Sequence, residues 1–306
     1  MSDASISARP IPSGESPTVR SLAGVSRTLL IPLLARAQAH RLWPGVEFDD
    51  ASARSVAAAL EVEQMGIRSD PFPMRLCISR SMAIARVLHE LLSEPIKRTL
   101  VLLACGLDTL PFRIQASLEP EQLAQLRGWI CADLAPVMAV REQLLPATDR
   151  VQHACIALPD SLDAVTKALD ETRPVFILEG ILPYLRREEV AHCFSALSAI
   201  APAGADLLVD GYHPALLAFS KFGNTFRRMH AEFHFGIADA RTYAKMVPRV
   251  RFHEQYDLLR PLPWRYRKRA VLPALAAAGK PLATLARLEI DPDSSQGASP
   301  ASTGHD

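Results

Sequence analysis

The feature that most constrains this chain is a recurrence. Short apolar runs return at 99–104, 128–132, 151–156 (the weakest), 174–179 and 205–210, with longer amphipathic segments between them. None of the runs alternates apolar with polar residues, which is the pattern of strands buried on both faces of a parallel sheet. The segments between them carry a helical period. In "REEVAHCFSALSAIAPAG", Val190, Phe194, Leu197 and Ile200 share one face. Glu188 and Glu189 occupy the first turn, and Pro202 with Gly204 ends the run. "PVMAVREQLL" is a shorter helix of the same kind. Strands alternating with helices predict an open, doubly wound α/β sheet. The first ninety or so residues read as mostly helical. "RVRFHEQYDLL" and "ATLARLEI" predict two late strands with an antiparallel edge.

The expected organisation is a disordered tail over 1–17, a helical cap over 18–95, a core over 96–290 and a second tail over 291–306. Residues 212–245 are expected to cover the strand tips. A hydrophobic fraction of 49% with 22% charged residues supplies a full core. Thirty-four basic residues stand against thirty-three acidic ones, so the whole-chain charge of +1 supports neither a nucleic-acid nor an anionic-membrane partner. The local run "RYRKR" at 265–269 reads as a solvated face. Five cysteines with no C-x-x-C pair argue against a disulfide framework and a thiolate zinc site. With no signal-like N-terminus, the expectation is a soluble, cytoplasmic protein.

Ligands of open parallel sheets bind beyond the carboxyl ends of the strands, so each tip was read for chemistry. The first tip, "LACGLDTLPFR", offers Gly106, where the backbone can approach a ligand, and Asp108. It lacks G-x-G-x-x-G and G-K-S/T, so no phosphate cradle is expected, and Asp108 suits a cationic or hydroxyl-bearing ligand. A turn with a helix cap is the competing role for Asp108. The second tip, "WICADLAPV", places Asp133 where a ribose hydroxyl is usually met, with helix capping as a compatible role. The fourth, "FILEGILPYL", ends in Glu179, a carboxylate that must find a partner or a ligand if buried. The fifth offers Asp210, Tyr212 and His213. His230 and His234 lie four apart in "HAEFH", without the third ligand a zinc site needs.

These motifs, with "TLLIPLLARAQAH", "FDDASARSVAAAL" and "FHFGIADARTYAKMVPRVRFHEQYDLL", resemble the leucine carboxyl methyltransferase family. Within it, they are most similar to the tetracenomycin-type polyketide carboxyl O-methyltransferases. The resemblance spans roughly residues 27–290. It implies a class I methyltransferase fold with a mostly parallel seven-stranded sheet, and S-adenosylmethionine as cofactor. The implied cofactor-binding set is Arg80, Ala104, Gly106, Asp108, Asp133, Leu158, Glu179 and Gly180. In it, Arg80 would hold the cofactor carboxylate, Asp133 would meet the ribose, and Glu179 would sit at the sulfonium and amino-acid end. Tyr184, His213, His230 and His234 are the catalytic candidates, and no metal is implied. The implied acceptor is a small molecule with a carboxyl or phenolic oxygen.

Several positions depart from the family pattern. Ala104 replaces a glycine, Leu110 an arginine, Cys131 an acidic residue and Ala85 an aspartate. The aspartate expected after the third strand is missing unless Asp160 serves. They leave open a member that keeps the pocket but catalyses cyclisation or another transfer, and a non-catalytic binding protein. Arg227 and Arg228 are candidates for holding a substrate carboxylate, against a solvated helix face.

Overall fold

The computed structural model describes residues 29–62, 70–169, 172–220 and 232–293. The expected tails at 1–17 and beyond 293, and the candidates Arg227, Arg228 and His230, lie outside them.

All five expected strands are present, as β1 (Arg98–Leu103), β2 (Leu126–Asp133), β3 (Val151–Cys155), β4 (Arg173–Leu178) and β5 (Ala205–Tyr212). The two late segments form β6 (Val250–Asp257) and β7 (Ala283–Ile290). The sheet order is β3-β2-β1-β4-β5-β7-β6, with β1 to β5 mutually parallel. β7 runs antiparallel to both of its neighbours, so the reversed strand lies one place in from the edge and β6 closes the sheet against it.

The unbroken apolar runs follow from the two faces. Successive side chains of a strand point to opposite sides. Val101, Leu103, Phe176, Leu178, Leu207 and Val209 go to one core, and Leu100, Leu102, Val175, Ile177 and Leu208 to the other. The first core is covered by α9 (Arg187–Ile200), the helix read from "REEVAHCFSALSAI". The second is covered by α4 (Pro71–Leu92), which has Pro71 in its first turn and Asp70 accepting from the Phe72 N–H at 3.0 Å. A third cluster joins α1 (Leu30–Ala37), α2 (Ala39–Leu42), α3 (Ala51–Ala59) and α4 into a cap that reaches Leu107 and Val137 above the strand tips. Between the strands lie α5 (Leu110–Ser117), α6 (Pro120–Gln125), α7 (Ala135–Leu144) and α8 (Asp163–Ala168). α10 (Pro214–Ser220), α11 (Trp264–Arg267) and α12 (Val271–Ala276) follow β5 and β6.

Asp206, fully buried near the start of β5, ties the opposite end of the sheet. It accepts from Arg98 of β1 at 2.6 Å, Arg173 of β4 at 3.0 Å and Arg287 of β7 at 3.0 Å. Burial alone would raise this carboxyl, but the three guanidinium groups outweigh it and hold Asp206 below the usual range. No helix among the described residues is long and apolar enough to cross a membrane.

Candidate active site at the strand tips

The tips of β1, β2, β4 and β5 open into a cavity of about 590 Å³ roofed by the helical cap. Its floor is the 104–108 turn. Ala104 and Gly106 both adopt left-handed backbone, at φ +51° and +50°. Any side chain there costs about 1–2 kcal/mol, so Ala104 carries strain that the glycine it replaces would not. Asp133 explains why the turn is held: one oxygen accepts from the Gly106 N–H at 2.7 Å and the other from the Leu134 N–H at 2.7 Å. The helix-capping role expected of Asp133 is not met: Leu134 is the N-cap of α7, without a side-chain cap, and Asp133 instead braces the turn from the cavity wall. Burial pushes the Asp133 carboxyl up, against those two donors.

Asp108 also does two things. It accepts from the Leu110 N–H at 2.8 Å, starting α5, and from Arg36 of α1 at 3.1 Å. Despite burial, which works the other way, Arg36 and Arg113 hold its carboxyl below the usual range. Asp50, capping α3, accepts from Thr109 at 2.6 Å and faces Arg36 and Arg113 at 3.7 and 3.4 Å. This network fastens the cap to the turn. Arg141 of α7, fully buried, donates to the carbonyls of Gly106 and Asp108 at 3.0 and 2.9 Å. Its other arm reaches Cys131 Sγ at 3.4 Å. The cysteine that departs from the family pattern thus lies against a buried cation. Its thiol is lowered, first by a hydrogen bond with Cys105.

The second half of the site is built on Arg80. Its guanidinium donates to Glu179 Oε1 at 2.9 Å, Asp210 Oδ2 at 2.5 Å and the Tyr212 hydroxyl at 2.7 Å. Asp210 also accepts from the Gly180 N–H at 3.0 Å and the Tyr212 hydroxyl at 2.9 Å. Gly180 has φ +72°, and a Cβ there would lie 3.3 Å from the Arg80 guanidinium. Glycine is required both by the backbone and by the close approach. Glu179 Oε2 is buried without a partner, on a residue that lines the cavity. Burial raises the Glu179 carboxyl, and Arg80 opposes the rise.

The distal wall is apolar, formed by Phe72, Leu76, Leu217, Phe219, Phe233 and Pro273. Tyr184 joins it from a 3₁₀ turn, its ring 5.3 Å from that of Phe233. Arg80, Ala104, Gly106, Asp108, Asp133, Glu179, Gly180 and Tyr184 are therefore brought together around one cavity.

Other expected residues are placed elsewhere. Leu158 precedes Pro159 in a turn packed on the α9 side of the sheet and does not line the cavity. Asp160 is exposed in the same turn and cannot replace the missing aspartate. His213 does not line the cavity, because its Nδ1 accepts from the Ala215 N–H at 3.1 Å at the start of α10. Burial and Lys280 lower its pKa. His234 is exposed on an irregular segment, and its backbone N–H donates to the Pro183 carbonyl at 2.8 Å. Tyr212, offered by the fifth strand tip, does line the cavity, and burial and Asp210 push its hydroxyl well above the ordinary tyrosine range. Arg36, Asp50, Arg113 and Arg141 were not found from sequence. Their partners lie far along the chain, 72 residues for Arg36 and Asp108, and no local spacing reveals them.

The arrangement sets five carboxylates (Asp50, Asp108, Asp133, Glu179 and Asp210) against four guanidinium groups (Arg36, Arg80, Arg113 and Arg141). Asp70 adds a further carboxylate to the cavity wall, so carboxylates outnumber guanidinium groups around the site, which suits a cationic ligand.

No family model matches the chain. In fold, it is similar to a candidate methyltransferase from Thermobifida fusca, with a TM-score of 0.53 at 16% identity over 85% of this chain and 94% of that one. It is also similar to a DUF574 family protein from Streptomyces avermitilis, with a TM-score of 0.50 at 14% identity over 85% and 97% of the two chains. In sequence, it is 31% identical over 245 residues to the tetracenomycin polyketide synthesis O-methyltransferase TcmP of Streptomyces glaucescens, covering 79% of this chain and 86% of the relative. At that identity and coverage, on a methyltransferase fold, the chain belongs to the family of tetracenomycin-type polyketide O-methyltransferases.

Proposed function

We propose that the protein transfers a methyl group from S-adenosylmethionine to a carboxyl or phenolic oxygen of a small, polyketide-like acceptor. The observation that carries this reading is the buried, unpartnered Glu179 Oε2 in a cavity where carboxylates outnumber guanidinium groups. S-adenosylmethionine has a sulfonium, an ammonium and a carboxylate, so its net charge is +1, the sign that a site rich in carboxylates favours. When bound, it supplies an electrophilic methyl group. Glu179 would accept from the ammonium and Arg80 would meet the carboxylate. Asp133 would accept from the ribose, and the Ala104–Gly106 backbone would pass beneath the methionine chain. Gly180 supports this by leaving room for the Arg80 guanidinium.

The chain's own task is alignment and exclusion of water. The cap, read as residues 18–95, closes the site through Arg36, Asp50 and Asp108. Leu217, Phe219 and Phe233, within 212–245, line the cavity with Phe72, Leu76 and Pro273, and a flat acceptor would lie on this wall beside Tyr184. No histidine or lysine among the described residues lines the cavity. A carboxylate needs no base, being ionised already at neutral pH.

A labelled-methyl assay with aromatic carboxylic acids tests the reading. Label is expected in base-labile product. Tight cofactor binding with no label in any acidic or phenolic acceptor would instead support the alternative of a divergent pocket doing other chemistry.

A further inference from the structure

Seven large apolar side chains are exposed among the described residues, and four of them, Trp264, Val271, Leu272 and Leu275, fall within thirteen positions. A fifth, Phe219, sits on α10, which packs against α12. Residues 264–276 form a nearly continuous helical run of α11, a 3₁₀ turn and α12. On α12, Val271, Leu272 and Leu275 are exposed around the buried Pro273, and Trp264 and Lys268 are exposed on the preceding α11 and 3₁₀ turn. Trp264 is 63% exposed, Leu272 64% and Leu275 74%, whereas Ala270, Pro273 and Ala277 between them are buried. An apolar cluster on the solvent side is the reverse of what folding alone selects.

The charge around it is equally one-sided. Between 258 and 282 the chain has Arg260, Arg265, Arg267, Lys268, Arg269 and Lys280 and no Asp or Glu. Among the described residues, none of Arg260, Arg265, Arg267, Lys268 or Lys280 pairs with a carboxylate, and Arg265 lies over the Tyr266 ring at 4.6 Å. The balanced whole-chain charge conceals this segment.

We propose that the Trp264–Leu275 ridge and its flanking cations dock the protein on an anionic lipid surface. Three observations select that occupant. Cations facing cations disfavour a second copy pairing through the same face. The side chains protrude as a ridge, which inserts into an interface, whereas a partner helix seeks a groove. Exposed Trp and Leu beside Arg and Lys is the composition of helices that lie in a lipid interface. Pro273, on the turn between Leu272 and Leu275, lines the cavity together with Leu217 and Phe219 of α10.

Tryptophan emission reads the docking directly, because Trp43 and Trp129 are buried and Trp264 is the exposed member of the three. The full chain is titrated with phosphatidylcholine vesicles, with or without about 30% phosphatidylglycerol, and binding is scored in parallel by flotation. The expected result is a blue shift with anionic vesicles and affinity lower by about tenfold or more on neutral ones. The anionic preference should disappear at roughly 1 M salt, where the Debye length is about 3 Å. Leu272→Ser with Leu275→Ser should abolish flotation at unchanged melting temperature, since both sites are exposed. Arg265→Gln with Lys268→Gln should remove the anionic preference alone.

No shift and no flotation with either vesicle would overturn the proposal. So would concentration-dependent dimerisation that the double serine variant removes, or capture of an acidic helical peptide with no lipid binding. Trp264 already shielded from acrylamide in the free protein would show that the chain covers the ridge itself, with the same consequence. Methyl transfer is not a readout, so these outcomes are independent of the proposed reaction.

Discussion

Replacing Glu179 by glutamine isolates the group on which the proposed cofactor site turns. The side chain is 6% exposed; Oε1 is held by Arg80 at 2.7–2.9 Å, and Oε2 has no partner. Glutamine keeps an oxygen for Arg80 and turns the unpartnered acceptor into a donor. Arg80 retains Asp210 and Tyr212, so the fold should survive with a fall of a few degrees in melting temperature. The loss at the ligand is one charge-assisted hydrogen bond, about 1.5–3 kcal/mol. At 1.4 kcal/mol per decade, that is roughly 10- to 150-fold in Kd.

Calorimetry should show this factor for both S-adenosylmethionine and its demethylated product, because the ammonium is common to the two. The pH dependence has a definite sign. Burial raises the Glu179 carboxyl above its ordinary value, with Arg80 opposing, and only the ionised form attracts the cation. Wild-type affinity should therefore decline as pH falls through that raised value, and the variant should lack the decline. An unchanged Kd with an unchanged pH profile would refute the assignment of Glu179 to the cofactor.

Three further substitutions test the frame around the site. Ala104→Gly relieves a left-handed alanine and should stabilise the protein by up to about 1 kcal/mol in urea melts, net of the added chain entropy. Gly180→Ala imposes φ +72° on a side chain whose Cβ lies 3.3 Å from the Arg80 guanidinium. It should cost about 1–2 kcal/mol and also weaken cofactor binding, since Arg80 must shift. Asp206→Ala removes the buried carboxylate shared by Arg98, Arg173 and Arg287, leaving Arg98, 1% exposed, with the half-exposed Glu94 as its remaining carboxylate, and should cost about 3–5 kcal/mol by denaturant unfolding. Because the folded Asp206 carboxyl is held below its unfolded value, its contribution is present above the unfolded pKa. It should be lost as pH falls through the folded one, a decline that Asp206→Ala should not show.

Taken alone, the sequence determined the sheet and its tips. Runs that are apolar at every position need two covered faces, and the side-chain period of two then assigns Leu102 and Leu103 to opposite cores. Ending those runs at Asp133 and Glu179 marked where ligand chemistry had to be sought. The two late strands were legible as segments, but β7's insertion beside β5 was not, because strand order depends on pairings between distant segments.

Only the tertiary structure decided which polar residues converge. Arg36 meets Asp108 across 72 positions, Arg80 meets Asp210 across 130, and Arg98 meets Asp206 across 108. Likewise, of the histidines that looked chemical in the sequence, His213 is spent on capping and His234 is left in solvent. The outward apolar cluster at 264–276 was hidden for the same reason, since sequence spacing does not show which side chains meet solvent. Which way a face turns, and which buried charge meets which, is settled by burial and ion pairing between segments remote in sequence, where no local pattern reaches.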